Sequence, residues 1–254
     1  NLIIVGGEAD STQQSWEALY AAATTAFTPE QLTGPDTLVN IQYTSGTTGF
    51  PKGCMLPHQY WIVLGYVCAA FWGTPIRRIY GGMNFYYMVL QRMLLNAGFH
   101  GGTLFVPRRP SALNLMENVR RLDCDNIAVL EAVYKQPPHP EDASNALRIA
   151  NIFGFTKEHQ AGFQDRFQVL AQEFYGMTET GPITHMPVHE IEAYTGSGSC
   201  GVASPMREVS LRDAAGREVG AGEEGELWTR GPGMLQGYWN KPEATAELMP
   251  GDGW

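Results

Sequence analysis

The sequence is poor in cysteine, in charge and in long apolar runs, and each shortage removes a class of function. Its 254 residues include four cysteines, Cys54, Cys68, Cys124 and Cys200. None stands at C-x-x-C spacing or near histidines at zinc-site spacing, which argues against a disulfide framework and a zinc module. Reduced thiols in a cytoplasmic protein are expected instead. Only 17% of residues are charged, and the net charge is −9. No basic patch stands out, so no nucleic-acid partner is expected. The longest nearly continuous apolar run, Tyr60–Trp72, covers thirteen residues. A bilayer span takes about 20, so a buried helix is expected there and no membrane span. The opening Asn1-Leu2-Ile3-Ile4-Val5-Gly6 lacks the basic start of a signal peptide and reads as a strand. His58, His100, His139, His159, His185 and His189 show no metal spacing, because Pro187 interrupts the pair His185/His189. They read as surface or loop histidines.

What is present describes a globular protein. Apolar residues make up 44% of the chain, enough for a sizeable core. Strand patterns at Leu38–Tyr43, Thr103–Val106, Asn126–Leu130, Leu147–Phe153 and Val169–Phe174 alternate with helical ones. The helices are expected at Ser15–Ala26, from Pro57-His58 to Trp72, at Tyr86–Gly98, from a Ser111 cap to Leu122, and after a Thr156 cap. This rhythm predicts an α/β fold with a parallel-rich sheet built of βαβ units and covered by helices. From about residue 195 the texture changes to alternating strands at Glu208–Asp213 and Gly225–Arg230. A smaller antiparallel β subdomain is expected there, giving regions 1–194 and 195–254. The chain starts without Met and stops at Gly251-Asp252-Gly253-Trp254, so a fragment is expected.

One stretch carries chemistry on its face: Tyr43-Thr44-Ser45-Gly46-Thr47-Thr48-Gly49-Phe50-Pro51-Lys52-Gly53. Glycines let the backbone approach a ligand, and successive N–H groups can cup an anion. Hydroxyls add neutral donors and Lys52 adds a point charge. Together they read as a polyphosphate cradle lying between a strand and a helix. The spacing excludes a Walker A, which needs four residues between its last two glycines and then Gly-Lys-Ser/Thr. A second glycine run, Gly196-Ser197-Gly198-Ser199-Cys200-Gly201, fits G-x-G-x-x-G by letter alone. No apolar strand precedes it and Pro205 follows, so a dinucleotide fold is rejected.

The motif YTSGTTGFPKG resembles the phosphate loop of the adenylate-forming enzymes: acyl- and aryl-CoA synthetases, luciferases and peptide-synthetase adenylation domains. Tyr175-Gly176-Met177-Thr178-Glu179-Thr180, 132 positions after Tyr43, resembles the second signature of that family. Gly225-Glu226-Leu227-Trp228-Thr229-Arg230-Gly231-Pro232 and Gly237-Tyr238-Trp239-Asn240-Lys241-Pro242-Glu243-Ala244-Thr245 resemble the third. The wording is most like that of an acyl-CoA synthetase large domain, whose middle and later parts the chain matches. The residues of the third signature read as structural: turns, aromatic packing and a helix start at Pro242.

The resemblance implies ATP, Mg²⁺ and coenzyme A as ligands. Thr44, Ser45, Gly46, Thr47, Thr48, Gly49 and Lys52 would hold the β- and γ-phosphates. Tyr175 would stack on adenine, with Gly154, Phe155, Glu173, Gly176 and Met177 around it. Thr178 would meet the α-phosphate and Glu179 the metal. Phe85 and Tyr86 stand where many relatives have Phe-His at the acyl pocket; with Gly176 and Met177 they would contact the acid. The implied reaction is activation of a carboxylic acid to an acyl-adenylate, then thioester formation with coenzyme A. The family's α-phosphate lysine and ribose aspartate are not among the motifs matched.

The partners expected are thus a small carboxylic acid and coenzyme A, and a homo-oligomer is compatible with the sequence. Two other readings compete. An amino-acid- or aryl-acid-activating domain is one; the amino-acid form would want a pocket aspartate, and none can be assigned. A truncated nucleotide-binding module without full catalysis is the other. A purely structural protein would leave the hydroxyl-glycine-lysine loop unexplained.

Overall fold

In the computed structural model, residues 2–8, 10–11, 13–26, 28, 32–44, 50–251 and 253–254 are described. Ser45, Gly46, Thr47, Thr48 and Gly49, the centre of the phosphate-loop motif, lie outside the described residues. Residues 1–34 and 35–254 form two compact units.

In the first unit, β1 (Leu2–Ile4) pairs in parallel with β2 (Gln13–Ser15). Helix α1 (Trp16–Ala22) follows, and the Ser15 hydroxyl caps it by accepting from Ala18 N. The helix is shorter than the expected Ser15–Ala26, because Ala23 is already extended. Trp16, Leu19 and Tyr20 are exposed.

The second unit opens with β3 (Leu38–Thr44) and β4 (Lys52–Pro57), which pair antiparallel with Thr44 opposite Lys52. The phosphate-loop motif therefore joins two strands of a hairpin, and the expected strand–loop–helix order is corrected. The apolar helix starts only after β4, as α2 (His58–Ala70). Pairing with β3 makes Lys52–Pro57 a strand; the five residues between Pro51 and Pro57 are too few to announce that from sequence.

The main sheet has seven strands. They are β5 (Arg78–Tyr80), β6 (Thr103–Phe105), β7 (Asn126–Leu130), β8 (Ile149–Phe153), β9 (Leu170–Met177), β10 (Gly181–His185) and β11 (Val202–Ala203). Their order is β11-β10-β9-β8-β7-β5-β6, with β9 to β6 parallel and β10 and β11 antiparallel. The central strands are near-continuous apolar runs, as burial on both faces requires. Ile127, Val129, Ile149 and Ile152 are all buried.

Helices α2 and α3 (Met88–His100) form one core with Tyr60, Leu64, Val67, Phe71, Leu90 and Met93. Helices α4 (Leu115–Arg121) and α6 (Lys157–Phe167) form the other with Val119, Phe163 and Phe167. Between these two helices lies the single turn α5 (Glu131–Tyr134). Helix α4 is capped at Asn114, three residues later than expected, because the Ser111 hydroxyl accepts from Asn114 N in a turn before it. A polar node sits inside this packing. Gln172 Oε1 accepts from Trp72 Nε1 at 3.1 Å and from Asn151 Nδ2 at 3.0 Å, while Gln172 Nε2 donates to Met186 O at 2.8 Å.

Beyond α7 (Ile191–Tyr194), β12 (Glu208–Arg212) and β13 (Glu226–Arg230) form the small antiparallel sheet expected from the sequence. Helix α8 (Pro242–Leu248) begins with proline at its first turn. All four cysteines are free, and three of them are buried. His185 corrects the surface reading of the histidines: it lies on β10, stacked on Phe71 at 4.3 Å. Among the described residues, no helix is long and apolar enough to cross a membrane.

Candidate functional site

A cleft of about 960 Å³ opens where the carboxyl ends of β8 and β9 meet the β3–β4 hairpin. This is where parallel α/β sheets place ligands. Thr44 and Lys52 line it from the hairpin, Gly154 and Phe155 from the end of β8, and Glu173, Tyr175, Gly176 and Met177 from β9. Thr178 and Glu179, in the turn before β10, complete that wall. The YGMTE run is thus strand for its first half, not a turn after a strand. Gly176 allows the β9–β10 hairpin to close, since a Cβ there would stand 2.5 Å from Gly181 O.

Glu179 is buried and held from two sides. Tyr238 Oη donates to Glu179 Oε1 at 2.7 Å, and Leu235 N donates to Glu179 O at 2.9 Å. Arg207 secures the same turn by donating to Thr180 O and Pro232 O, each at 2.6 Å. The segment around Tyr238 also runs along β4. Met55 N donates to Gly237 O and Trp239 N to Gly53 O. Lys52 Nζ lies 5.0 Å from the centroid of the Tyr238 ring. Tyr238 therefore touches both signature motifs, a role missed when the GYW run was read as structural. Its signal was available, because a buried tyrosine hydroxyl needs a partner.

Burial raises the Glu173 carboxyl above its ordinary value. Burial, reinforced by Glu179, pushes the Cys54 thiol up to about 12. Cys54 stays protonated at neutral pH and is no nucleophile. Burial and the Glu179 carboxylate also raise the Tyr238 phenol, which keeps it a donor.

The structure brings together Thr44, Lys52, Gly154, Phe155, Glu173, Tyr175, Gly176, Met177, Thr178 and Glu179. It does not bring Phe85 or Tyr86 to the cleft wall; Tyr87, Met88, Val89 and Arg92 line it instead. Their backbone is tied nearby: Gln42 Nε2 donates to Tyr86 O and Gln91 Nε2 to Phe85 O. The Phe155 ring turns inward and packs edge-on against Phe163 at 5.4 Å. Among the described residues, no group of three or more His, Cys, Asp or Glu could hold a metal. A single buried carboxylate, Glu179, fits a Mg²⁺ whose other ligands are phosphates and waters.

A mixed α/β unit with one cleft at the strand carboxyl ends, walled by a hydroxyl, a lysine and a carboxylate, defines the class. The chain matches the model of the AMP-binding enzyme family over residues 2–239. It belongs to that family. The chain is 30% identical to a feruloyl-CoA synthase of Amycolatopsis sp over 236 residues, covering 89% of this chain and 47% of that protein. A long-chain-fatty-acid–CoA ligase of Yersinia pestis is 27% identical, with 84% and 40% covered. The chain thus spans less than half the length of these relatives. The fold matches that of o-succinylbenzoate coenzyme A synthetase (MenE) from Bacillus subtilis in complex with AMP. There the TM-score is 0.79 at 20% identity, covering 95% of this chain and 50% of that one. The luciferase-like enzyme of Zophobas morio gives a TM-score of 0.82 at 19% identity, covering 98% and 60%.

Proposed function

We propose that this chain carries the nucleotide- and acid-binding part of an AMP-forming carboxylate–CoA ligase. One observation carries the reading: residues of two motifs 132 positions apart line one cleft. The hydroxyl of Thr44, the ammonium of Lys52 and the loop Ser45–Gly49 would hold the β- and γ-phosphates of ATP. Tyr175, exposed on β9, offers a face for adenine, with Gly154, Phe155 and Glu173 beside it. Thr178 would donate to the α-phosphate. Glu179, fixed by Tyr238, would hold Mg²⁺, which when bound neutralises charge on the departing pyrophosphate. The substrate carboxylate oxygen attacks the α-phosphorus, and the bond to the pyrophosphate oxygen breaks. The work asked of the chain is positioning and charge neutralisation. Coenzyme A as the thiol acceptor, the boundary near residue 195, and an α-phosphate lysine supplied from outside these motifs belong to the same proposal.

Calorimetry of the chain with ATP and Mg²⁺, and with a non-hydrolysable acyl-adenylate analogue, tests this reading. Binding of both, with Lys52→Met weakening ATP at least tenfold more than the analogue, is expected. An affinity for neither ligand would sink it. ATP–pyrophosphate exchange across fatty, aryl and amino acids separates the alternatives, and exchange with amino acids alone would favour the amino-acid-activating reading.

A further inference from the structure

Arg92 is the least explained residue of the cleft wall. It lies on α3, is 1% exposed, and lines the cleft with Met88, Val89 and Phe174. Nε, Nη1 and Nη2 are all buried, and among the described residues they meet no hydrogen-bond acceptor beyond the Cys68 thiol beside them. Two groups lie close. The Phe174 ring is 5.0 Å from the guanidinium carbon. The Cys68 thiol is the other; burial outweighs the pull of Arg92 and raises it, so it stays uncharged. One helical turn on, buried Asn96 has both amide atoms unpartnered as well. A guanidinium stays charged at any ordinary pH. Taking it out of water is costly, and a ring face returns only part of that cost. Neither neighbour offsets the cost as an anion would.

We infer that the acid bound in this cleft is a dicarboxylic acid, whose far carboxylate pairs with the Arg92 guanidinium. This rests on the acid-activating reading above. The fork of N–H donors matches a carboxylate in two-point geometry. Around it the wall is apolar, with Met88, Val89, Ile152, Phe153 and Phe174, so the two carboxylates are joined by an apolar spacer. The near carboxylate is the one that attacks phosphorus.

The test is calorimetry of the 254-residue chain with glutarate, adipate and suberate, each against its monomethyl ester, and with octanoate. Titrations are run with and without Mg²⁺ and α,β-methylene-ATP. At least one diacid is expected to bind ten-fold or more tightly than its monoester and than octanoate. In Arg92→Met that ratio falls to within two-fold; Arg92→Lys, which keeps the charge, retains part of it. A monoester or octanoate matching every diacid on the unaltered chain overturns the inference, as does the absence of diacid binding. Tighter binding of 4-phosphonobutyrate than of any diacid overturns the choice of carboxylate. Nucleotide binding is read separately. A chain that binds nucleotide but prefers monoesters loses this inference and keeps the acid-activating reading. A chain that binds diacids through Arg92 but no nucleotide does the reverse.

Discussion

Tyr238 decides how firmly Glu179 is held. Its hydroxyl donates to that buried carboxylate, and a hydrogen bond to a charged group is worth roughly 1.5–3 kcal/mol. Tyr238→Phe should lower unfolding stability by about that amount in urea titrations and weaken Mg²⁺-dependent ATP binding more than Mg²⁺-free binding. Equal loss in both would separate Tyr238 from the metal carboxylate. Glu173 makes a pH prediction. Burial raises its folded-state value above 4.5, so its contribution is fully present below 4.5 and lost as pH rises through the raised value. Glu173→Gln should match the parent near pH 4 and become the more stable chain as pH climbs to 7. A difference that is flat across this range would contradict burial as the cause. At this scale the sequence was legible wherever chemistry fixes residue type. Lys52, Thr178 and Glu179 were read from motifs and line one cleft. Arg92 was hidden, because an arginine in an amphipathic helix ordinarily faces water and nothing local marks it as buried.

The β9–β10 hairpin is the element on which the site turns, and Gly176 is its tightest point. The atoms that a Cβ would meet, Gly181 O and Pro182 Cα, belong to backbone and cannot step aside. Gly176→Ala should cost about 1–3 kcal/mol or more, by the ordinary penalty for overpacking. Thermal melts check this, and a change below half a kcal/mol would show the hairpin to be looser than drawn. The same hairpin explains which elements the sequence concealed. Gly181-Pro182 at the start of β10 reads as a turn, since proline is confined to edges and ends of strands. Strand β5 has only three residues, too short for alternation to register. In contrast, β7 and β8 announced themselves as apolar runs, and the cap at Thr156 was readable because it precedes a helical pattern.

At the scale of the whole chain, residues 35–254 contain the seven-stranded sheet, both cores and the cleft. Expressed alone, this unit should unfold in one cooperative transition and bind AMP as tightly as the full chain. Denaturation followed by tryptophan fluorescence and by circular dichroism tests it; non-coincident curves would refute it. The parallel sheet was legible from the βαβ rhythm, because β7 and β8, buried on both faces, leave a strong pattern. The hairpin carrying the phosphate-loop motif was not, because pairing between β3 and β4 is fixed by backbone partners and not by periodicity.

Gln172 has a consequence for how the chain is made. It joins β9 to Trp72, 100 residues earlier, and α2 buries Tyr60, Leu64, Val67 and Phe71 against strands that follow it. During synthesis, α2 therefore leaves the ribosome long before its sheet exists. At about 5–20 residues per second, its apolar surface waits several seconds or more for β9 and β10. Slower translation between residues 72 and 186 lengthens the time for which that surface is open to other chains.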